Sequence, residues 1–335
     1  MQTFWNKLSR PFCVLAPMAD VTDAAFRRMF AKYGPPDVFW TEFVSADGLF
    51  HTREKLGMPD ADNPLMVDLL FSEAEHPIVA QLFGSNTETM EYTAELVARL
   101  GFDGIDINMG CPDRSVEKQG AGAGMIKNPE RAIAIVAAAR RGAARASASG
   151  TPIPVSVKTR IGYAKRDELE EWIPRILSAQ PAALTVHART RNEMSLVPAR
   201  WEHVARAVAL RDVHSPHTLI IGNGDVATTL QGKQWAQHAG ADGAMIGRGI
   251  FGNPWRFRTD IDPDTIALSQ KLDALSEHTQ LFAELLPHKS FAIMKKHFKA
   301  YVHGFSGAAE LRAKLMEAPD ANTVTRIIAS VHNAS

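Results

Sequence analysis

Gly104-Ile105-Asp106-Ile107-Asn108-Met109-Gly110-Cys111-Pro112-Asp113-Arg114-Ser115-Val116-Glu117-Lys118 runs a short buried-type strand directly into a turn that carries a thiol. The turn follows the carboxyl end of the strand, where chemistry can reach it. Similar short apolar runs, rich in β-branched residues, recur at 13–17, 38–42, 78–83, 155–159, 184–187, 218–222 and 244–247. With 104–108 they make eight, the number that closes a parallel barrel. Helix-like stretches alternate with them at 23–33, from Asn86 or Thr87 to about Leu100, and at 129–141, 168–179, 199–211 and 228–239. Helices on the outer face of a parallel sheet leave strands of continuous rather than alternating hydrophobicity. A (β/α)8 barrel is therefore expected in preference to an open doubly wound sheet. Polar residues close strand after strand: Glu42, Gln81, Asn108, Lys158, His187, Asn223 and Arg248. These are carboxyl ends, the face where barrels carry their sites.

The connections 50–77 and 138–154 read as surface excursions. Beyond Pro254 the strand signal stops, and helices are expected at 267–285, 290–302, 308–316 and 322–332. The expected organisation is a barrel with the catalytic site over 1–255, followed by an all-helical domain over 256–335. At 335 residues, 45% hydrophobic and 22% charged, the chain can bury a large core under a polar surface. It has no run of about eighteen apolar residues, and residues 1–10 lack the apolar segment of a secretory signal. A cytoplasmic protein with no membrane partner and no obligate protein partner is the expectation. Lysine plus arginine equals aspartate plus glutamate at 37 each, so overall charge does not decide for or against nucleic acid.

Cys13 and Cys111 are the only cysteines. Cys13 lies between Phe12 and Val14 at a strand start and reads as core; Cys111 reads as a free thiol. It suits a general acid better than a nucleophile, because no histidine base is near it in sequence and a thiol with pKa about 8.5 is mostly protonated near neutrality. Gly222-Asn223-Gly224-Asp225 follows the seventh strand and Gly247-Arg248-Gly249 the eighth. Either is an ordinary turn when taken alone. Together they form the usual phosphate site of a barrel, with close backbone approach at glycine and a guanidinium fork. Lys158, on a strand suited to burial, calls for an anion, and the N1/O2 edge of a reduced isoalloxazine is one. His187 is either a structural histidine or a second donor to the same ligand, and Gln81 offers the donor and acceptor that a pyrimidine-like ring edge requires. The histidines show no metal-ligand spacing, and no Gly-x-Gly-x-x-Gly follows an early strand.

Taken in order, these motifs resemble the flavin-dependent tRNA-dihydrouridine synthases over nearly the whole chain. They run through 16–23 (Ala-Pro-Met-Ala-Asp-Val-Thr-Asp), Thr41-Glu42, 81–84 (Gln-Leu-Phe-Gly), 106–112, 157–162, 185–190, 221–225 and 245–249, then Asn253-Pro254-Trp255 and Lys296-His297-Phe298. The resemblance implies FMN in the barrel, NADPH as reductant, and reduction of specific tRNA uridines to 5,6-dihydrouridine. It implies that Cys111 gives a proton to uracil C5 while the reduced flavin gives hydride to C6. By the same carry-over Ala16, Pro17, Met18, Gln81, Lys158 and His187 surround the flavin ring. Asn223, Gly224, Asp225, Gly247 and Arg248 hold its ribityl phosphate. A uridine in folded tRNA must leave its stack to reach such a pocket.

Asn108, Arg160, Arg189 and Arg191 are expected substrate contacts near the mouth. Lys295, Lys296 and Lys299 are expected to meet RNA phosphate on a helix face within an acid-free stretch, 285–309, that also carries Lys289, His288, His297 and His303. The chain departs from the family pattern at Asp20, commonly glycine, at Glu42-Phe43, commonly glutamate-methionine, and over 191–198, which lacks a familiar tyrosine-glycine form. An FMN barrel acting on a free pyrimidine or an enone, and a noncatalytic tRNA-binding protein, are the alternatives.

Overall fold

β-Branched and aliphatic runs pair side by side into one sheet whose eight strands all point the same way: β1 (Phe12–Leu15), β2 (Phe39–Ser45), β3 (Ile78–Phe83), β4 (Gly104–Met109), β5 (Val155–Arg160), β6 (Ala183–His187), β7 (Leu219–Asn223) and β8 (Gly243–Ile246). The computed structural model describes residues 3–147 and 150–332. Each strand lies beside its sequence neighbour, and β8 returns to β1. Closure is completed by a short seam: Val14 bridges Val38, the Leu15 N–H donates to the Val38 carbonyl at 3.1 Å, and the Asp37 N–H donates to the Cys13 carbonyl at 2.9 Å. The fold is a (β/α)8 barrel followed by a run of helices.

Outer helices form where the sequence supplies a cap. Asp23 accepts from the Phe26 N–H to start Ala24–Tyr33, Asn86 from Glu88 to start Thr87–Arg99, and Asn128 from Arg131 to start Pro129–Ala146. This last helix runs five residues past the expected Arg141 and takes up the first part of 138–154, whose residues 148–149 lie outside the described residues. Gly142 is its crossing point with helix Thr87–Arg99, since a Cβ there would stand 2.1 Å from the Glu91 carbonyl. The 50–77 connection is likewise more than an excursion. It folds as short helical turns, and its fully buried Glu75 accepts from Arg27 Nε at 2.6 Å and Arg28 Nε at 3.0 Å.

Four helices complete the chain, Leu268–Leu285, Met294–Tyr301, Ala308–Glu317 and Ala321–His332. Leu275, Phe282, Phe298 and Leu315 form their shared core, which takes in Ala25 and Met29 from the first barrel helix together with Trp255. Among the described residues no helix is long and apolar enough to cross a membrane.

Two buried histidines stand in the packing between the helical segment and the barrel. His278 and His297 meet edge to face at 4.7 Å between ring centroids, against Phe26, Phe251 and Tyr301. Among the described residues none of their four ring nitrogens has a hydrogen-bond partner. Burial holds His278 down to about 3 and His297 well below the usual imidazole range, the latter helped by His278 and Lys296. Their folded pKa values lie below the unfolded value of about 6.5, so the unfolded chain takes up protons that the folded one refuses. The stability they contribute is therefore present above about pH 6.5 and is lost as pH falls. Chemical denaturation at pH 7.5 and 5.0 should show wild-type protein losing about 2 kcal/mol more than His278→Leu over that interval.

Candidate active site

At the carboxyl rim the strands deliver their polar ends to a cavity of about 600 Å³. Ala16, Pro17 and Met18 enter it after β1, Lys158 from β5 and His187 from β6. Asn223, Gly224 and Asp225 come from the end of β7, Gly247 and Arg248 from beyond β8. Every residue expected at a cofactor lines this cavity except Gln81. Ser195, Val226 and Met245 also line it and were not anticipated, being apolar or small side chains that only the folded rim brings together.

Charge at the rim is arranged for an anion. Lys158 is nearly enclosed, and burial, then Arg160, lowers its pKa to about 8, against the pull of Asp106 and Cys111. Among the described residues its ammonium has no hydrogen-bond or ion-pair partner. His187 is held well below its usual range by burial, then by Arg160 and Lys158, so its ring is neutral; its Nε2 lies 3.0 Å from an Arg189 guanidinium nitrogen. Asp225 is engaged by the protein itself, ion-paired with Arg189 and Arg248 and accepting the Ala199 N–H at 2.8 Å. Gly224 has φ +127°, and a Cβ there would press on Ala199 at 2.6 Å, so only glycine keeps this rim open.

Next along the rim lies the Cys111 turn, with its main chain held at four points. The Cys111 N–H donates to Asn108 Oδ1 at 2.9 Å, and its carbonyl accepts the Ala123 N–H at 2.9 Å. The preceding carbonyl, of Gly110, accepts Arg160 Nε at 2.8 Å, and the following one, of Pro112, accepts Arg191 at 3.1 Å. Arg191 is anchored in turn by Glu117. Cys111 is half-buried; burial pushes its thiol up, opposed by the main chain of Asp113 and by Lys158 and Arg160. Cys13 is buried in the core.

Two of the arginines expected as substrate contacts near the mouth are engaged within the protein. Arg160 is buried and spends its guanidinium on the carbonyls of Gly110, Thr190 and Met194. Arg189 is buried on His187, Val197 and Asp225. Both brace the loop 189–200. Asn108 and Gln81 are also engaged within the protein, Asn108 Nδ2 donating to Gln81 Oε1 at 3.0 Å and Gln81 Nε2 to Asp106 Oδ2 at 2.7 Å. Each amide keeps one N–H uncommitted. Strand parity was the available signal for Asp106, which shares the inward face of β4 with Asn108 and stands in register with Gln81.

On the helical segment, Lys295, Lys296 and Lys299 are exposed, whereas His297 is buried and Lys289 is ion-paired with Glu42 and Asp68 at 2.8 Å each. Lys296 also donates to the Asp20 carbonyl at 2.8 Å. Asp20, the departure from glycine, sits at φ +54°, the left-handed region that glycine occupies without strain. Its N–H donates to Glu42 Oε1. Among the described residues no group of three or more His, Cys, Asp or Glu side chains stands together to hold a metal ion.

An eight-stranded barrel with an anion-receptive rim and a half-buried thiol beside it defines a cofactor-using β/α-barrel enzyme. A family model described as dihydrouridine synthase matches residues 14–333. A probable tRNA-dihydrouridine synthase of Staphylococcus aureus (strain Mu50) is 40% identical over 317 residues, covering 94% of this chain and 91% of that one. Probable tRNA-dihydrouridine synthase 2 of Bacillus subtilis (strain 168) is 40% identical over 329 residues, covering 98% and 96%. The chain belongs to the dihydrouridine synthase family and is an enzyme of the flavin oxidoreductase class.

Gly122 is a sharp test of how the thiol is held. It has φ +56°, and a Cβ there would lie 2.7 Å from the Cys111 carbonyl and 2.8 Å from Val116 Cγ1. Gly122→Ala should displace the Cys111 turn and cost about 1–2 kcal/mol in backbone strain. The expected signature is a several-fold change in the rate of Cys111 alkylation, read by mass spectrometry, with the circular dichroism spectrum retained.

Proposed function

We propose that this protein reduces specific uridines of tRNA to 5,6-dihydrouridine, using FMN in the rim cavity, NADPH as reductant and Cys111 as the general acid at uracil C5. The single observation that carries this is a half-buried thiol with its main chain held at four points, at the rim beside an unpaired lysine. The cavity residues fit FMN: Lys158 suits the ring edge that becomes negative, while Gly224, Gly247 and the Arg248 fork suit a phosphate. Held there, FMN would supply the hydride for uracil C6, with NADPH as its reductant.

What remains for the protein is placement and one proton. Raised by burial, the Cys111 thiol keeps its proton near neutrality and passes it from Sγ to C5. The thiolate left behind faces the charges of Lys158 and Arg160, and takes a proton from solvent before the next turnover. The uracil must be everted to lie between thiol and cofactor. The remaining N–H of Asn108 is available to its edge. The helical segment 256–335 serves as the tRNA-binding domain, with the exposed ammonium groups of Lys295, Lys296 and Lys299 toward phosphate. Arg191, partly exposed beside the thiol turn, is the arginine best placed to meet substrate.

Cys111→Ala should retain the flavin absorption spectrum and its bleaching by NADPH, while tRNA-dependent reoxidation falls about 10²–10⁴-fold. Full turnover in that variant would end the proposed role of the thiol. Lys158→Ala should instead weaken flavin retention or slow its reduction. Mapping dihydrouridine in tRNA from cells with and without the protein identifies the positions it modifies, and an unchanged map removes tRNA as the substrate.

A further inference from the structure

Beneath the Cys111 turn a chain of four hydrogen bonds runs in one direction. The N–H groups of Gly110 and Cys111 donate to Asn108 Oδ1 at 3.1 and 2.9 Å. Asn108 Nδ2 donates to Gln81 Oε1 at 3.0 Å, and Gln81 Nε2 donates to Asp106 Oδ2 at 2.7 Å. Gln81, Asp106 and Asn108 are all buried. A carboxamide turned by half a revolution keeps its shape but exchanges donor for acceptor, so packing alone does not set the direction of such a chain. Only its ends do. One end is two peptide N–H groups, which can only donate. The other is the Asp106 carboxyl group, which burial pushes up to about 6; above that pH it is a carboxylate and can only accept.

We propose that Asp106 is the positioning residue of the Cys111 turn: its acceptor-only carboxylate orients the Gln81 and Asn108 amides and thereby presents an oxygen, not a nitrogen, to the Cys111 N–H. Ser156, its register partner on β5, and Trp40 also face the carboxylate as donors, so every side-chain partner there calls for an acceptor; the Ser156 hydroxyl lies in addition 3.0 Å from the Ile105 carbonyl. With asparagine at 106 only the two peptide N–H groups hold the direction, and the reversed arrangement, closed while a carboxylate stands there, is opened. In the reversed chain Asn108 points its NH₂ group at two N–H donors, and the turn loses both bonds. The consequence for catalysis rests on the proposed role of Cys111; the orientation of the turn does not.

The test exchanges the two end-setting groups at nearly constant volume. In Asp106→Asn, amide hydrogen exchange in the peptide spanning 109–112 should quicken at least three-fold, and Cys111 alkylation by iodoacetamide should change by a similar factor. In the double variant Asp106→Asn with Gln81→Glu, the acceptor-only group moves one place along the chain and again forces Asn108 Oδ1 toward the turn. Both rates should return toward wild type. The proposal is overturned if the single variant stays within experimental error of wild type in both measurements, or if the double variant is no closer to wild type than the single. Should the single variant fail to fold, a folded double variant with a protected turn supports the proposal and an unprotected one overturns it. Altered exchange combined with wild-type tRNA reduction would leave the orienting role standing and instead remove Cys111 from the chemistry.

Discussion

The seam between β1 and β2 is short, a bridge at Val14 and Val38 with two backbone hydrogen bonds beside it, yet it turns a curled sheet into a barrel. An open parallel sheet would carry its carboxyl ends along a line. Closure wraps them into a ring, and side chains more than two hundred residues apart in sequence then face one cavity. Pro17 and Met18 after β1 meet Gly247 and Arg248 after β8 because those two strands pair directly, and all four share one cavity with Lys158 of β5. Burial follows from the same closure. Groups on the inward faces of the strands, Gln81, Asp106 and Lys158, are removed from bulk water and must be satisfied by one another or by a ligand.

Electrostatics at the rim is a surplus of cations over partners. Arg189 and Arg248 share the single carboxylate of Asp225, and Arg160 is bonded only to carbonyl oxygens. Lys158 feels the charge of Arg160, which together with burial lowers its affinity for a proton. Such an arrangement is costly until an anion arrives, and much less so afterwards. The same field bears on the thiol, because Lys158 and Arg160 offset part of the penalty that burial places on a thiolate.

The strands were legible in the sequence because their apolar runs are short and end on polar residues; each was found within three residues of its true end. β2 was the furthest off, since a register shift between Trp40 and Phe43 carries it on to Ser45. Cavity residues were legible for the same reason, standing at strand ends beside glycine. What the sequence did not reveal was how polar side chains divide between ligand and protein. Arg160 and Arg189 look like Arg191 on paper. They differ by the direction in which β5 and the loop after β6 send them, which no local pattern states. The helix from Pro129 outran its expected end at Arg141 because Gly142, within a stretch read as a connection, is a close crossing with a helix some fifty residues earlier.

Asp20 links two parts of the molecule that are far apart in the chain. Its peptide N–H is held by Glu42 of the barrel and its carbonyl by Lys296 of the helical segment. Glu42 is itself tied to Lys289, so the bend after β1 is suspended between both bodies and cannot move freely with respect to either. An ammonium has three hydrogens, and Lys296 can keep the carbonyl while gripping something outside. A ligand gripped by Lys296 on that outer helix face would therefore bear on the Asp20 carbonyl, two residues along the chain from Met18 at the cavity.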